Sequence, residues 1–89
     1  MYSINPIQRK IREAIMDLRP AHRQKLKEAF SDIEREPHYH PAGKIGRLKA
    51  DLACLGYHYR LTNAYRVHYE INEQARTVEI TYIGPHPNY

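Results

Sequence analysis

The sequence is short of the residues that would supply redox chemistry, a metal centre or a membrane anchor. Cys54 is the single cysteine among 89 residues, so no internal disulfide can form. It sits between Ala53 and Leu55 and reads as a small buried hydrophobe rather than a nucleophile. The apolar runs are a few residues long, far below the roughly 20 needed to span a bilayer. The N-terminus has no basic-then-apolar leader. These absences point to a cytoplasmic protein. Glycine occurs four times, never as a phosphate-cradling loop. Neither HExxH nor CxxC is present. The six histidines include one close pair, His38-x-His40, in a loop between two prolines. No metal and no cofactor is expected from such a pattern.

What is present suits one small domain over residues 1–89. Hydrophobic content is 42% and charged content 27%, which supports a packed core of modest size. Tryptophan is absent and phenylalanine occurs once, but there are eight tyrosines. The net charge of +4 is unevenly placed. Residues 44–68 hold Lys44, Arg47, Lys49, Arg60 and Arg66 against one acid, Asp51. The remainder of the chain is balanced, so the whole excess lies in this segment. A basic surface of this kind suits a polyanion or an acidic partner, and equally a solvated face.

Residues 57–71 are written in period two. Tyr57, Tyr59 and Leu61 fall on one side of a first strand, with His58, Arg60 and Thr62 on the other. Tyr65, Val67, Tyr69 and Ile71 fall on one side of a second strand, with Arg66, His68 and Glu70 opposite. Thr62-Asn63-Ala64 is a hairpin link. A third strand follows over 77–83, with Val78, Ile80 and Tyr82 expected on the apolar side. Upstream, residues 1–4 form a short apolar lead. Asn5-Pro6 reads as an N-cap with proline at the first helical position. Ile7, Ile11, Ala14, Ile15 and Leu18 then give an amphipathic helix of roughly three turns. Pro20 opens a second helix with Leu26, Ala29, Phe30 and Ile33 inward. The spacing of Ile45, Leu48, Leu52 and Leu55 suggests a short helical turn or an irregular packed segment.

The expected fold is therefore α/β (α+β): a short N-terminal strand and an αα-hairpin packed on one face of a three- to four-stranded antiparallel sheet. The helices cover the tyrosine-rich face and leave the His/Arg/Glu face open. Arg60, Arg66, His58 and His68 should share that open face, and Lys44, Arg47 and Lys49 should rim it. Arginine holds phosphate bidentately and keeps its charge. Fixed cations beside a proton donor and acceptor are what RNA cleavage without a metal requires.

Several segments, in their order and spacing, resemble the RelE/ParE toxin superfamily of type II toxin–antitoxin systems. They are Leu48-Lys49-Ala50-Asp51-Leu52, Tyr59-Arg60-Leu61, the strand from Ala64 through Tyr65-Arg66-Val67-His68-Tyr69-Glu70-Ile71, Thr77-Val78, and Ile83-Gly84-Pro85-His86. The resemblance covers nearly the whole chain. It implies a toxin neutralised by a cognate antitoxin. The favoured RelE-like branch implies a ribosome-dependent mRNA endonuclease that needs no metal. On that pattern Arg66, His86, Tyr89 and Lys49 are the expected catalytic residues. Lys44, Arg47, Arg60 and His68 are expected to bind RNA phosphate. The ParE-like branch implies instead a DNA gyrase poison without nuclease activity. A third reading is an inactive member that only pairs with an antitoxin. The chain departs from the family pattern in its short first strand and in Gly84-Pro85-His86, which lacks the usual arginine.

Overall fold

The computed structural model describes residues 1–48 and 56–85. Their elements are β1 (Ser3–Ile4), α1 (Arg9–Met16), α2 (Pro20–Arg35), β2 (Ile45–Arg47), β3 (Gly56–Arg60), β4 (Tyr65–Asn72) and β5 (Thr77–Pro85). The strands form one five-stranded sheet in the order β1-β5-β4-β3-β2. β2 to β5 are antiparallel and β1 runs parallel to β5. The two helices pack on one side of the sheet, as the alternation of the hairpin requires.

The core lies between those layers. Ile11, Leu18, Leu26, Ala29 and Ile33 come from or beside the helices. Tyr59, Leu61, Val67, Tyr69, Val78, Ile80 and Ile83 come from the sheet side. Each Leu, Ile or Val among them contributes about 1.5–3 kcal/mol when fully buried. Tyr69 is fully buried, and its hydroxyl donates to the Pro37 carbonyl at 2.6 Å. That bond anchors the loop after α2 to the middle of the sheet.

The sheet differs from the expectation in three ways. It has five strands and mixed direction. Residues 45–47, expected to be helical or irregular, form an edge strand, because β3 offers them a free ladder. Ile45, Gly46 and Arg47 pair with Tyr59, His58 and Tyr57. Strand alternation alone puts Tyr82 on the apolar side, and it is not there. Val67 pairs with Ile83 and His68 with Tyr82, but Tyr69 pairs with Ile80, leaving Thr81 as an extra residue in a β-bulge. A bulge reverses the facing of everything beyond it. Ile83 therefore enters the core, and Tyr82 turns to the opposite face.

The first helix also starts later than its sequence suggests. Asn5 does not cap it. Its backbone N–H donates to the Val78 carbonyl at 2.8 Å, continuing the β1–β5 pairing, and its side chain donates to Glu79 at 3.3 Å. α1 then starts after Gln8, whose side chain makes no capping bond, and spans 8 residues, nearer two turns than three.

Candidate nucleic-acid interface

The face of the sheet away from the helices is ordered in rows across β3, β4 and β5. Directly paired residues project to the same side. The row nearest the β3–β4 link is Arg60, Arg66 and Gly84. The next is His58, His68 and Tyr82, with Gly46 of β2 beyond His58. The last is Gly56, Glu70 and Glu79. Charge on this face therefore runs from cationic at the link to anionic at the β4–β5 turn.

The cationic end is built by the hairpin. Thr62 Oγ1 accepts from the backbone N–H groups of Ala64 at 3.2 Å and Tyr65 at 3.0 Å, which closes the link. The carbonyls in and beside the link receive Arg66. Its Nη1 donates to Thr62 O at 2.6 Å, Tyr65 O at 3.1 Å and Asn63 O at 3.3 Å. One side of the guanidinium is thus fixed by the backbone, and its charge is held at the link end of the central strand. Arg60 is exposed on the neighbouring strand, and its backbone N–H donates to the Lys44 carbonyl at 2.7 Å. Lys44, Arg60 and Arg66 therefore meet at one end. β5 also terminates here, with Pro85 paired to Tyr65.

The second row is tightly packed. His68 is buried, at 9% exposure, and its ring centroid lies 5.0 Å from that of Tyr82. A Cβ at Gly46 would come within 2.8 Å of His58 Nε2, so the imidazole lies across the glycine of the next strand. A Cβ at Gly84 would come within 2.8 Å of the Tyr82 hydroxyl, so the tyrosine ring tip covers that glycine in the same manner. The hydroxyl donates to the Pro85 carbonyl at 2.6 Å.

The third row repels a polyanion. Glu70 and Glu79 stand directly opposite each other, and Glu79 accepts from Asn5 at 3.3 Å and Gln8 at 3.4 Å. A shallow concavity lies beside them, lined by Asn5, Asn72, Glu73, Gln74 and Thr77 among others. Its acidity makes it a poor seat for a phosphate.

Not every expected residue joins the cationic end. Arg47 lies at the far end of β2, opposite Tyr57, on the side that faces the helices. Its guanidinium stands 5.8 Å from the Tyr57 ring centroid. The expectation that Arg47 rims the open face fails because Arg47 has the parity of Ile45, not that of Gly46. Lys49, His86 and Tyr89 lie outside the described residues. Tyr82 is the residue that strand alternation leaves off this face, and only the bulge puts it there.

A second polar cluster occupies the opposite end of the sheet, on the helix side. His38 Nδ1 lies 2.8 Å from Glu36 Oε1 and Nε2 lies 2.5 Å from Glu73 Oε1. Glu73 also accepts from the Tyr2 hydroxyl at 2.8 Å. The rings of Tyr2 and Tyr57 meet His38 edge-on, at 5.8 and 5.7 Å. Partial burial alone would lower the His38 pKa, but hydrogen bonds to Glu73 and Glu36 outweigh it and raise the value. The bond from His38 holds both carboxyls below their ordinary range. Nearby, Asp32 accepts from Tyr59 at 2.6 Å and lies 3.2 Å from His40 Nε2. Among the described residues, no group of three or more His, Cys, Asp or Glu is placed to hold a metal. No helix among them is long and apolar enough to cross a membrane.

No family model matches this sequence, and no curated protein matches it. Solved structures do. The RelE–RelB complex of the archaeon Pyrococcus horikoshii OT3 contains a chain 25% identical, with a TM-score of 0.78 over 94% of this chain and 93% of that one. The YoeB/ParE toxin of Agrobacterium tumefaciens is 19% identical, with a TM-score of 0.74 over 98% of this chain and 100% of that one. The YoeB–YefM complex of Staphylococcus aureus is 19% identical, with a TM-score of 0.73 over 98% and 99%. The fold is RelE-like, and the resemblance to the RelE/ParE-type toxin superfamily read from the sequence is matched by structural neighbours along nearly the whole chain.

Proposed function

We propose that this chain is the toxin of a toxin–antitoxin pair and that it cuts mRNA on the ribosome without a metal ion. The observation that carries the reading is the meeting of Lys44, Arg60 and Arg66 at one end of a sheet face that the helices leave bare. The toxin role draws support from neighbours that include the RelE–RelB and YoeB–YefM complexes. The partner in that case is a cognate antitoxin, acidic where it covers the cationic end.

In the proposed reaction the RNA 2′-oxygen attacks the adjacent phosphorus, and the bond to the 5′-oxygen breaks. Arg66, Arg60 and Lys44 neutralise the charge that builds on the non-bridging oxygens. Arg66 suits this role because the link carbonyls already orient its guanidinium, so less freedom is lost on binding. Lys49 adds a cation from the basic segment. One group must take the 2′-hydroxyl proton and another must give a proton to the leaving oxygen. His86 is assigned to one of these transfers, as general acid or base, with His68 as its substitute, and Tyr89 to stacking or to the other transfer.

The test is expression with and without the protein encoded by the adjacent reading frame. Growth arrest with new mRNA ends in primer extension, abolished by Arg66→Ala with His86→Ala, is the expected result. Toxicity with intact mRNA and accumulating gyrase–DNA cleavage complexes would replace this reading by a ParE-type one.

A further inference from the structure

The bulge at Thr81 moves an aromatic ring out of the core side, where strand alternation would put it. Tyr82 stands on the open face, half-buried, in the row next to the arginines. Its ring tip lies along β5 over Gly84, and its hydroxyl is tied to Pro85 O at 2.6 Å. His68 supports it from the neighbouring strand, with centroids 5.0 Å apart and planes 46° apart. A ring held in this way surrenders little freedom when a flat group lands on it.

The cations are one row away. Gly84 pairs with Arg66, which pairs with Arg60. Successive rows on one face of a sheet lie about 6.5–7 Å apart, within the reach of a single nucleotide from phosphate to base. Cations that follow the backbone beside aromatic rings that accept any base are the usual means of holding single-stranded RNA without reading its sequence.

We propose that Tyr82 is a base-stacking platform for one nucleotide of single-stranded RNA whose phosphate is held by Arg60 and Arg66. This assignment rests on the RNA reading above. It names single-stranded RNA as the ligand class and Tyr82 as a binding residue. Gly84 is required beneath the ring. Its backbone is compatible with alanine, but the added Cβ would meet the Tyr82 hydroxyl at 2.8 Å and its ζ-carbon at 3.0 Å and push the ring aside.

The test is fluorescence anisotropy with the full chain and a short 2′-O-methyl oligonucleotide, which cannot be cleaved through its 2′-oxygen. Tyr82→Ala is expected to weaken binding about 5- to 160-fold, the range for loss of one base–aromatic stack. The slope of log affinity against log salt should stay at the wild-type value, because no charge is removed. Tyr82→Phe should retain most of the affinity, since the π-face remains. Gly84→Ala should weaken binding with the tyrosine still present. If Tyr82→Ala does not fold, Gly84→Ala and Tyr82→Phe decide. Wild-type affinity in either alanine variant overturns the platform and leaves the cationic site standing. A salt slope that falls in Tyr82→Ala also overturns it, since the effect would then be on the arginines. No salt-dependent binding by the wild type overturns the platform, while the cleavage reading stands or falls separately on the mRNA ends in primer extension.

Discussion

The two ends of β4 use their charged groups in opposite ways. At the link end, the side chain of Arg66 bonds to backbone carbonyls and carries net positive charge to the surface beside Arg60 and Lys44. At the turn end, on the side of the helices, charged groups are engaged by their neighbours. His38 sits between Glu36 and Glu73, Arg47 lies over Tyr57, and Arg76 lies over Tyr2 at 5.2 Å. The first arrangement keeps a charge available to a ligand. The second uses charge and rings to tie the N-terminus, the end of α2 and the β4–β5 turn together. A variant at the turn end should therefore register in stability and not in anion binding, and a variant at the link end in anion binding, with a loss of stability only where its side chain bonds to the link.

The largest expected effect is at Tyr69, which is fully buried and bonded to Pro37 O. Tyr69→Ala should cost about 3–5 kcal/mol in chemical denaturation, through the cavity and the orphaned carbonyl. Tyr69→Phe should cost about 1 kcal/mol. A loss under about 1 kcal/mol for the alanine variant would mean that the core does not close around this ring.

Gly43→Ala should follow. Gly43 has φ +71°, and a Cβ added there would meet nothing within 4 Å, so the cost is backbone strain alone. A loss of about 1–2 kcal/mol is expected in the same assay. Arg66→Ala is expected to lower the melting temperature by about 4–8 °C, the equivalent of about 1 kcal/mol of hydrogen bonding to the link. Arg60→Ala, at an exposed position, should leave it within the range of ordinary surface variants, about 0.5 kcal/mol either way.

A smaller effect than that of Arg66→Ala depends on pH. Because the His38 pKa is raised in the folded protein, its contribution is fully present below the unfolded value near 6.5 and disappears as pH rises through the folded value. The depressed Glu36 and Glu73 act in the other sense. Their contribution is present above about pH 4.3 and is lost as pH falls through their folded values. The cluster should therefore help most near pH 5.5. His38→Gln should lower the melting temperature there by about 2–5 °C, scaled for a pair open to solvent, and by much less at pH 8.5. Equal losses at both pH values would show that the cluster acts by packing alone.

The hairpin is legible in the sequence because period-two alternation is a local signal. The tyrosines, the valine and the leucine that it assigns to one side are in or against the core. The signal fails where a neighbouring strand decides the outcome. Tyr82 is turned by a bulge that exists only in the pairing of β4 with β5. Residues 45–47 become a strand only because β3 has an open edge, and Asn5 leaves its expected cap to extend the pairing with β5. Arg66 is legible as a cation on the open face, but not as one oriented by Thr62, Asn63 and Tyr65 carbonyls. That detail depends on the shape of the link, which composition does not encode.

The central claim is that the link end of the open face is the RNA site. Its most direct test is the salt dependence of binding to a single-stranded 2′-O-methyl oligonucleotide in wild type, Arg60→Ala, Arg66→Ala and Arg47→Ala. Each of the first two variants should weaken binding and lower the slope of log affinity against log salt by about 0.7, one phosphate contact each on a single strand. Arg47→Ala, on the other face, should keep the wild-type slope. Loss of slope in Arg47→Ala with Arg60→Ala and Arg66→Ala unchanged would contradict the account.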